Sequence, residues 1–149
     1  MKRSVKIGML CLTLLLTFST TAFAATEVEP NNGMYYANPL TNYLPDQSVE
    51  SMIGYISPQF DVDYFIFSTH QNITMQRIIF IPPDNGTYQV TVFEAFNTTG
   101  RVASGSATNG QVLVLDFPIN QLSHYHIEIY SPVGSYNNNN PYYLVAAQR

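Results

Sequence analysis

Tryptophan is absent from this 149-residue sequence, cysteine occurs once, and basic residues are scarce, with six Lys and Arg against ten Asp and Glu. Both lysines stand within the first six residues, so three arginines face all ten acids after residue 24, a formal charge of −7. This balance lacks the basic footprint that nucleic-acid binding requires. It also lacks the Lys/Arg clusters that attract anionic lipid. We therefore expect neither nucleic acid nor membrane as a partner of the mature chain.

The first 24 residues have the three-part layout of a secretory signal peptide. Lys2, Arg3 and Lys6 form a basic start, Ile7–Phe18 carries no charge, and Ala22-Phe23-Ala24 offers a small-x-small cleavage site. The apolar run of about a dozen residues is too short for a bilayer span of roughly 20 helical residues. The sequence thus predicts a cleaved signal peptide over 1–24 and a secreted, extracellular domain over 25–149.

Removal of this segment would also remove Cys11, the one cysteine. The mature chain would then hold no disulfide, although export would permit one, and no thiol nucleophile or cysteine metal site. Residues 25–149 have the length of one domain, which can bury a sufficient core without covalent staples. We expect a monomer.

The mature chain is a series of short β-branched and aromatic segments separated by turn residues, with no sustained helical spacing. An Asn109-Gly110 hairpin signal separates two of these segments. About eight short strands at this spacing predict an all-β fold, a jelly-roll-like antiparallel β-sandwich. Residues 25–45 resist a strand interpretation and are expected to form an extended N-terminal arm. The expected strands are Val49–Ile56, Asp63–Ser68, Ile73–Ile81, Tyr88–Val92, a short one near Val102, Val112–Leu115, His124–Tyr130 and Tyr142–Ala147.

Several motifs in this order match a known family. They are Glu27–Asn32 (EVEPNN), Ala37–Leu40 (ANPL), Gly54–Ile56 (GYI), Asp61–Phe67 (DVDYFIF) and the closing Tyr142–Val145 (YYLV). The mature chain resembles the bacterial pre-peptidase C-terminal domain, a family that includes the collagen-binding modules of clostridial collagenases. The E-x-E-P-N-N opening and D-x-D-Y-F are the more specific parts of the resemblance.

The resemblance implies a non-catalytic β-sandwich of jelly-roll type. Such domains are usually appended to exported enzymes and are associated with their secretion or processing, or with binding an insoluble substrate. Several members bind calcium where the acidic arm meets the sheet. No catalytic domain is expected in residues 25–149, which favours a binding or accessory role.

The acidic arm also suggests a cation site on chemical grounds. Calcium takes six to eight oxygen ligands from carboxylates, amides and backbone carbonyls. Alternate residues of an extended segment share a face, so the acids at 27 and 29 lie beside the amide at 31, and those at 61 and 63 also pair. Two such acid pairs would repel each other unless a cation lay between them. The alternative is that these acids are solvated surface charges. The candidate calcium ligands are Glu27, Glu29, Asn31, Asp61 and Asp63, with Asp46 as an alternative.

A second constellation, His124, His126 and Glu128, alternates along one strand. Two imidazoles and a carboxylate can bind zinc. However, strand residues four apart are separated by roughly 13 Å, so His124 and Glu128 cannot share one ion. We interpret the three as an exposed polar face of the sheet.

No arrangement indicates catalysis. Ser104-Gly105-Ser106 is a turn-like segment without the strand-to-helix elbow of serine hydrolases. The histidines lack a triad pattern, and no pair of acids has the placement of glycosidase carboxylates. The sequence predicts that the protein is not an enzyme.

Tyrosine is the remaining signal. The chain has 11 tyrosines, and this side chain offers a flat apolar face with a hydroxyl group, which suits protein and polymer surfaces. The alternative is that many of these rings fill the ends of the sandwich. We expect an extracellular protein or polymer as ligand, such as collagen-like or cell-wall material, or an in-trans role as secretion aid, chaperone or inhibitor of a secreted peptidase. The candidate ligand-binding residues are Tyr130, Tyr136, Tyr142 and Tyr143.

Overall fold

Ten β-strands and one turn of 3-10 helix make up the part of the chain that the computed structural model describes, residues 24–40, 49–95, 100–135 and 139–149. Residues 1–23 of the predicted signal peptide, Asp46 and Tyr136 lie outside the described residues. The strands are β1 Ala25–Thr26, β2 Asn38–Pro39, β3 Val49–Gly54, β4 Val62–Ser68, β5 Met75–Ile81, β6 Thr87–Glu94, β7 Arg101–Thr108, β8 Leu113–Pro118, β9 His124–Tyr130 and β10 Tyr142–Gln148, and the 3-10 turn is Met34–Tyr36.

The strands form two five-stranded sheets. Sheet I has the order β1-β3-β10-β5-β8, and sheet II has the order β2-β4-β9-β6-β7. The arm contributes one short strand to each sheet, and both run parallel to their neighbours: β1 pairs with β3, and β2 pairs with β4. All other pairings are antiparallel.

Period-two alternation places the core between the sheets. In β9, Tyr125, Ile127 and Ile129 are almost fully buried, on the face opposite His124 and Glu128, and in β4 the side chains of Phe65 and Phe67 are buried as well. Rings from the two sheets meet in this layer, for example Phe65 of sheet II edge-to-face with Tyr142 of sheet I at 6.3 Å between centroids. One continuous cluster results, which also includes Ile78, Phe80, Tyr88, Val90, Val92, Phe117 and Leu144.

The predicted β-sandwich is confirmed, with two corrections. There are ten strands rather than eight, and the sheets are mixed rather than purely antiparallel, because the arm adds β1 and β2. The strand predicted near Val102 runs over eight residues, so Ser104-Gly105-Ser106, interpreted from the sequence as a turn, lies within it. A Cβ at its Gly105 would lie 2.7 Å from Cδ1 of Leu113, so the leucine side chain would have to shift. The run Ala103–Ala107 contains only small residues, which hides the strand pattern.

Across the described ranges, no helix has the length and apolar character needed to cross a bilayer.

Candidate functional site

The arm crosses from sheet I to sheet II and is tied to both. The amide of Glu27 donates to the carbonyl of Ile53 on β3 at 2.9 Å. The side chain of Asn38 bridges back to Val28, accepting from its amide at 2.6 Å and donating to its carbonyl at 2.9 Å. Further along the arm, the amide of Tyr64 on β4 donates to the carbonyl of residue 31 at 3.1 Å. Residues 27–31 are thus hydrogen-bonded to sheet I at one end and to sheet II at the other.

This crossing brings three carboxylates together. Oxygens of Glu27, Glu29 and Asp63 all lie within 4.8 Å of one another, and we call these three residues the acid cluster. Asp63 is fully buried at the start of β4, whereas Glu29 is exposed on the arm. Three of the five predicted calcium ligands therefore meet at one point.

The hydroxyl group of Tyr142 completes the buried side of the acid cluster. It lies 2.6 Å from Oδ2 of Asp63 and 2.8 Å from Oε2 of Glu27. A phenol has one proton and can donate to only one of these carboxylates. The other oxygen of Glu27 accepts from the amide of Tyr55. The phenol therefore supplies a proton to only one of these two contacts.

The electrostatics of the acid cluster are unfavourable for anions. Burial raises the pKa of Asp63 to about 9, and the nearby charges of Glu27, Asp61 and Glu29 add to this effect. Burial also raises the pKa of Glu27, with a further contribution from Glu29. The one ion pair among the described residues, Arg77 with Asp116 at 2.6 Å, involves none of the acid cluster. The cluster must bind protons or a cation to remain buried.

Asn31, the fourth predicted ligand, is fully buried beside the acid cluster. In one orientation its Nδ2 donates to Oε2 of Glu27 at 3.4 Å, and its oxygen faces the carboxylates of Glu29 and Asp63. In the rotated orientation, the nitrogen donates to these carboxylates at 3.0 and 3.1 Å, and the oxygen accepts from Asn38 at 3.3 Å. The first arrangement converges oxygens on one point, as cation sites do, and the second satisfies the cluster without a cation.

Asp61, the fifth predicted ligand, does not join the acid cluster. It is buried, and its two oxygens accept from Nδ2 of Asn32 at 2.5 Å and from the amide of Ser57 at 2.8 Å. These bonds fix the turn before β4 and the end of the acidic arm. Asp61 therefore braces the site rather than facing its centre.

Gly54 leaves the space that the acid cluster needs. A Cβ at this position would lie 2.2 Å from the Tyr142 ring carbon Cζ and 2.4 Å from Oε2 of Glu27. The absence of a side chain at the end of β3 is what lets the phenol and the arm carboxylate meet.

An open pocket lies next to the acid cluster, on the outer face of sheet II. It has a volume of about 230 Å³ and is lined by Asn32, Val62, Tyr64, Glu128 and Tyr130; we call it the tyrosine pocket. The hydroxyl group of Tyr64 donates to Oε2 of Glu128. Burial and this carboxylate both raise the pKa of Tyr64 above its ordinary value.

The predicted ligand-binding tyrosines separate in the structure. Tyr130 is half-buried and lines the tyrosine pocket, and Tyr143 is 44% exposed on sheet I. The expected exposure of Tyr142 is wrong, because its ring is fully buried and its hydroxyl belongs to the acid cluster. Adjacent strand residues point to opposite faces, so only one of Tyr142 and Tyr143 could be exposed.

The exposed polar face expected for the His-x-His-x-Glu segment is also wrong in part. His126 is fully buried, with Nδ1 2.8 Å from the carbonyl oxygen of Ala95. His124 is exposed, and its Nδ1 lies 2.9 Å from Oγ of Ser68. Sequence reasoning gave Glu128 no role in binding, yet the structure places it in the tyrosine pocket. Its cross-strand partner Tyr64 could not be known before the register of β4 and β9 was known.

Known structures share this architecture. The chain is similar to the pre-peptidase C-terminal domain of a collagenase from Bacillus anthracis, at 12% identity and a TM-score of 0.50, over 83% of this chain and 100% of that one. It is also similar to Aeromonas hydrophila PliG, a periplasmic inhibitor of g-type lysozyme, at 12% identity and a TM-score of 0.50, over 76% and 96% of the two chains. At these identities the likeness shows the fold alone. No protein-family model and no curated protein sequence matches the chain.

Proposed function

We propose that this protein is a secreted, non-catalytic binding module whose N-terminal arm is held by calcium. The observation that carries the proposal is the convergence of the Glu27, Glu29 and Asp63 carboxylates within 4.8 Å, with no ion pair to a basic residue in the described part of the chain. Calcium prefers carboxylate and amide oxygens. With Asn31 turned so that its oxygen faces the carboxylates, four side chains offer oxygens, and water completes the shell.

Calcium at this point would fasten the arm to the sandwich. Glu27, Glu29 and Asn31 belong to the arm, whereas Asp63 belongs to β4 of sheet II. A cation shared by them removes the repulsion between buried carboxylates and favours the folded state by mass action, about 2.7 kcal/mol when calcium is present at 100 times its Kd.

The first experiment measures the melting temperature of the mature protein in calcium and in chelator. We expect calcium to raise it and magnesium to act weakly, because magnesium demands a stricter octahedral geometry. Glu29→Gln, on the exposed side of the cluster, and Asp63→Asn should each reduce or abolish this shift. Asp84→Asn, which lies outside the cluster and contacts Asn140, is the matched control and should keep it. Equal melting curves in calcium and chelator would refute the proposal.

The binding surface proposed for the ligand centres on the half-buried Tyr130 in the tyrosine pocket, and the exposed Tyr143 lies on the other sheet. The ligand class is an extracellular protein or polymer, including collagen-like or cell-wall material. We expect the mature protein to be retained on one of these materials and Tyr130→Ala to lose retention. Tyr35→Ala, which removes a ring that is 88% exposed elsewhere on the arm, is the control.

A second candidate is a partner or inhibitor, acting in trans, of a secreted hydrolase. It is favoured by the similarity to PliG, a periplasmic inhibitor of g-type lysozyme. The matched region covers 96% of PliG, so this fold makes up nearly the whole of that inhibitor. Recovery of a peptidase or a lysozyme in a pull-down from culture medium, with inhibition of its activity, would favour this candidate over polymer binding.

A further inference from the structure

The tyrosine pocket is built from two cross-strand pairs and one residue of the arm. On the β4–β9 ladder, Tyr64 lies opposite Glu128 and Val62 lies opposite Tyr130. Side chains two apart on a strand share a face, so these four residues form a compact group on the outside of sheet II. Asn32 closes the side nearest the arm. The pocket therefore has rigid walls from two paired strands.

The hydrogen bonds within the tyrosine pocket leave acceptor oxygens available to a ligand. The hydroxyl group of Tyr64 donates its proton to Oε2 of Glu128, so the Tyr64 oxygen and the second Glu128 carboxylate oxygen remain as acceptors. The amide nitrogen of Asn32 donates to Asp61 at 2.5 Å. The faces of the tyrosine rings carry negative electrostatic potential as well. A ligand that fits these groups must be rich in donors.

The charge of Glu128 has no ionic partner in the described part of the chain. The one ion pair there joins Arg77 of β5 to Asp116 of β8, which belong to sheet I. Beyond residue 24 the sequence has just two other basic residues, Arg101 and Arg149, and a formal charge of −7. An acidic surface around an uncompensated carboxylate attracts cationic partners at long range.

We infer that the tyrosine pocket binds a guanidinium group, presented by an arginine side chain of a partner protein. A guanidinium ion has donors only, is always charged, and is planar, so it can bond to Glu128 while it stacks on a tyrosine ring. The volume of about 230 Å³ lies below the roughly 300–1,000 Å³ of small-molecule sites, and it suits one side chain. This inference rests on the proposed binding role of the surface around Tyr130 and names the chemistry that it recognises.

The test is an NMR titration of the mature protein in calcium with the peptide Ac-Gly-Gly-Arg-Gly-Gly-NH2. We expect shifts at residues of the tyrosine pocket and a Kd on the order of millimolar, as suits a single side chain. The same peptide with citrulline, a neutral isostere of arginine, should bind at least about fivefold more weakly. Guanidinium chloride should also bind more weakly than the arginine peptide, because it lacks the aliphatic stem that packs on Val62 and Tyr130. Chitotriose, a sugar rich in donors but uncharged, should cause no shifts in the pocket.

Glu128→Gln removes the charge and keeps the shape, and we expect it to weaken binding of the arginine peptide about five- to tenfold. Glu94→Gln on neighbouring β6 is the matched control and should leave the Kd unchanged. The inference would be overturned if the citrulline peptide or chitotriose bound as tightly as the arginine peptide. It would also be overturned if Glu128→Gln bound the arginine peptide as tightly as the parent protein does, or if guanidinium chloride bound as tightly as the arginine peptide. If Tyr130→Ala still abolishes retention on a polymer while the arginine peptide fails to bind, the proposed function stands and this inference falls.

Discussion

One oxygen atom, the hydroxyl oxygen of Tyr142, links the acid cluster to the hydrophobic core. Its ring packs against Phe65 and Phe80, and its hydroxyl contacts Glu27 and Asp63. Burial and these two carboxylates raise the pKa of Tyr142 well above its ordinary value, so it keeps its proton. The phenol is therefore a fixed donor at the boundary between core and site.

Tyr142→Phe tests this role. It removes the donor and keeps the ring, so in chelator we expect the free energy of unfolding to fall by roughly 1–3 kcal/mol, the cost of leaving a buried polar group without its partner. Urea unfolding measures the change. Tyr143→Phe, on the exposed face, should alter it by less than about 0.5 kcal/mol. Equal losses in the two variants would contradict the assigned role.

Glu50 is a second buried acid, outside the acid cluster. It lies on β3 opposite Ala146, and both of its carboxylate oxygens are buried without a hydrogen-bond partner among the described residues. Burial raises its pKa from 4.5 to about 7. The folded state thus favours the protonated form, and the unfolded state does not. Its contribution to stability is fully present below about pH 4.5 and is lost as the pH rises through about 7.

Glu50→Gln should therefore flatten the pH dependence of stability between about pH 4.5 and 7. At pH 8 we expect the variant to melt above the parent protein by on the order of a few degrees, because an amide carries no charge to desolvate. Thermal melts across this pH range measure the effect. A parallel pair of curves for Glu50→Gln and the parent would exclude this explanation.

At the scale of elements, the arm and the end of β3 fit together only because residue 54 is glycine. Tyr142 is the cross-strand partner of Gly54, and its ring extends over the glycine toward Glu27. The contact therefore couples β3, β10 and the arm in one place.

Gly54→Ala should disturb all three elements. A methyl group 2.2 Å from the Tyr142 ring forces a shift, and we expect a loss of roughly 1–3 kcal/mol in unfolding free energy together with a smaller melting shift in calcium. Gly33→Ala is the control on the same arm, because its Cβ would meet only Cδ2 of Tyr36, at 3.9 Å. Full retention of the calcium shift in Gly54→Ala would contradict the proposed geometry.

For the whole molecule, the first part of the arm, residues 25–32, is separate from the hydrophobic core. The hydrophobic cluster begins at Leu40 and contains no residue of the segment 25–32. β1 is the edge strand of sheet I, so none of the antiparallel pairings involves it. We therefore expect the sandwich to fold without residues 25–32.

Deletion of residues 25–32 from the mature protein tests this separation. We expect the strand signal in circular dichroism to persist and the melting temperature to become independent of calcium, because Glu27, Glu29 and Asn31 are lost. The full mature protein, melted in parallel, is the control. A calcium shift that survives the deletion would place the cation elsewhere in the molecule.

Much of the fold follows from local sequence pattern. Alternation in His124–Tyr130 predicts which side chains of β9 face the core, and it does so because the strand period of two is a property of the backbone. The strands of the arm were missed, since β1 and β2 have two residues each and carry no periodicity. The extent of β7 was missed because Gly105, which packs against Leu113 of β8, interrupts the strand pattern of the sequence.

The sequence by itself determined the acidity of the chain and indicated the β-sandwich, because composition and period-two alternation are local properties. That Glu27 and Glu29 of the arm approach Asp63 of β4 was expected from the family resemblance, and this contact depends on the assembled sheets. Only the tertiary structure decided that Asp61 braces the site, that Tyr142 belongs to the acid cluster, and that Tyr64 faces Glu128. Those assignments depend on which strands pair and in what register. Register is a property of the assembled sheet. A shift of one strand by one residue would turn each of its side chains to the opposite face.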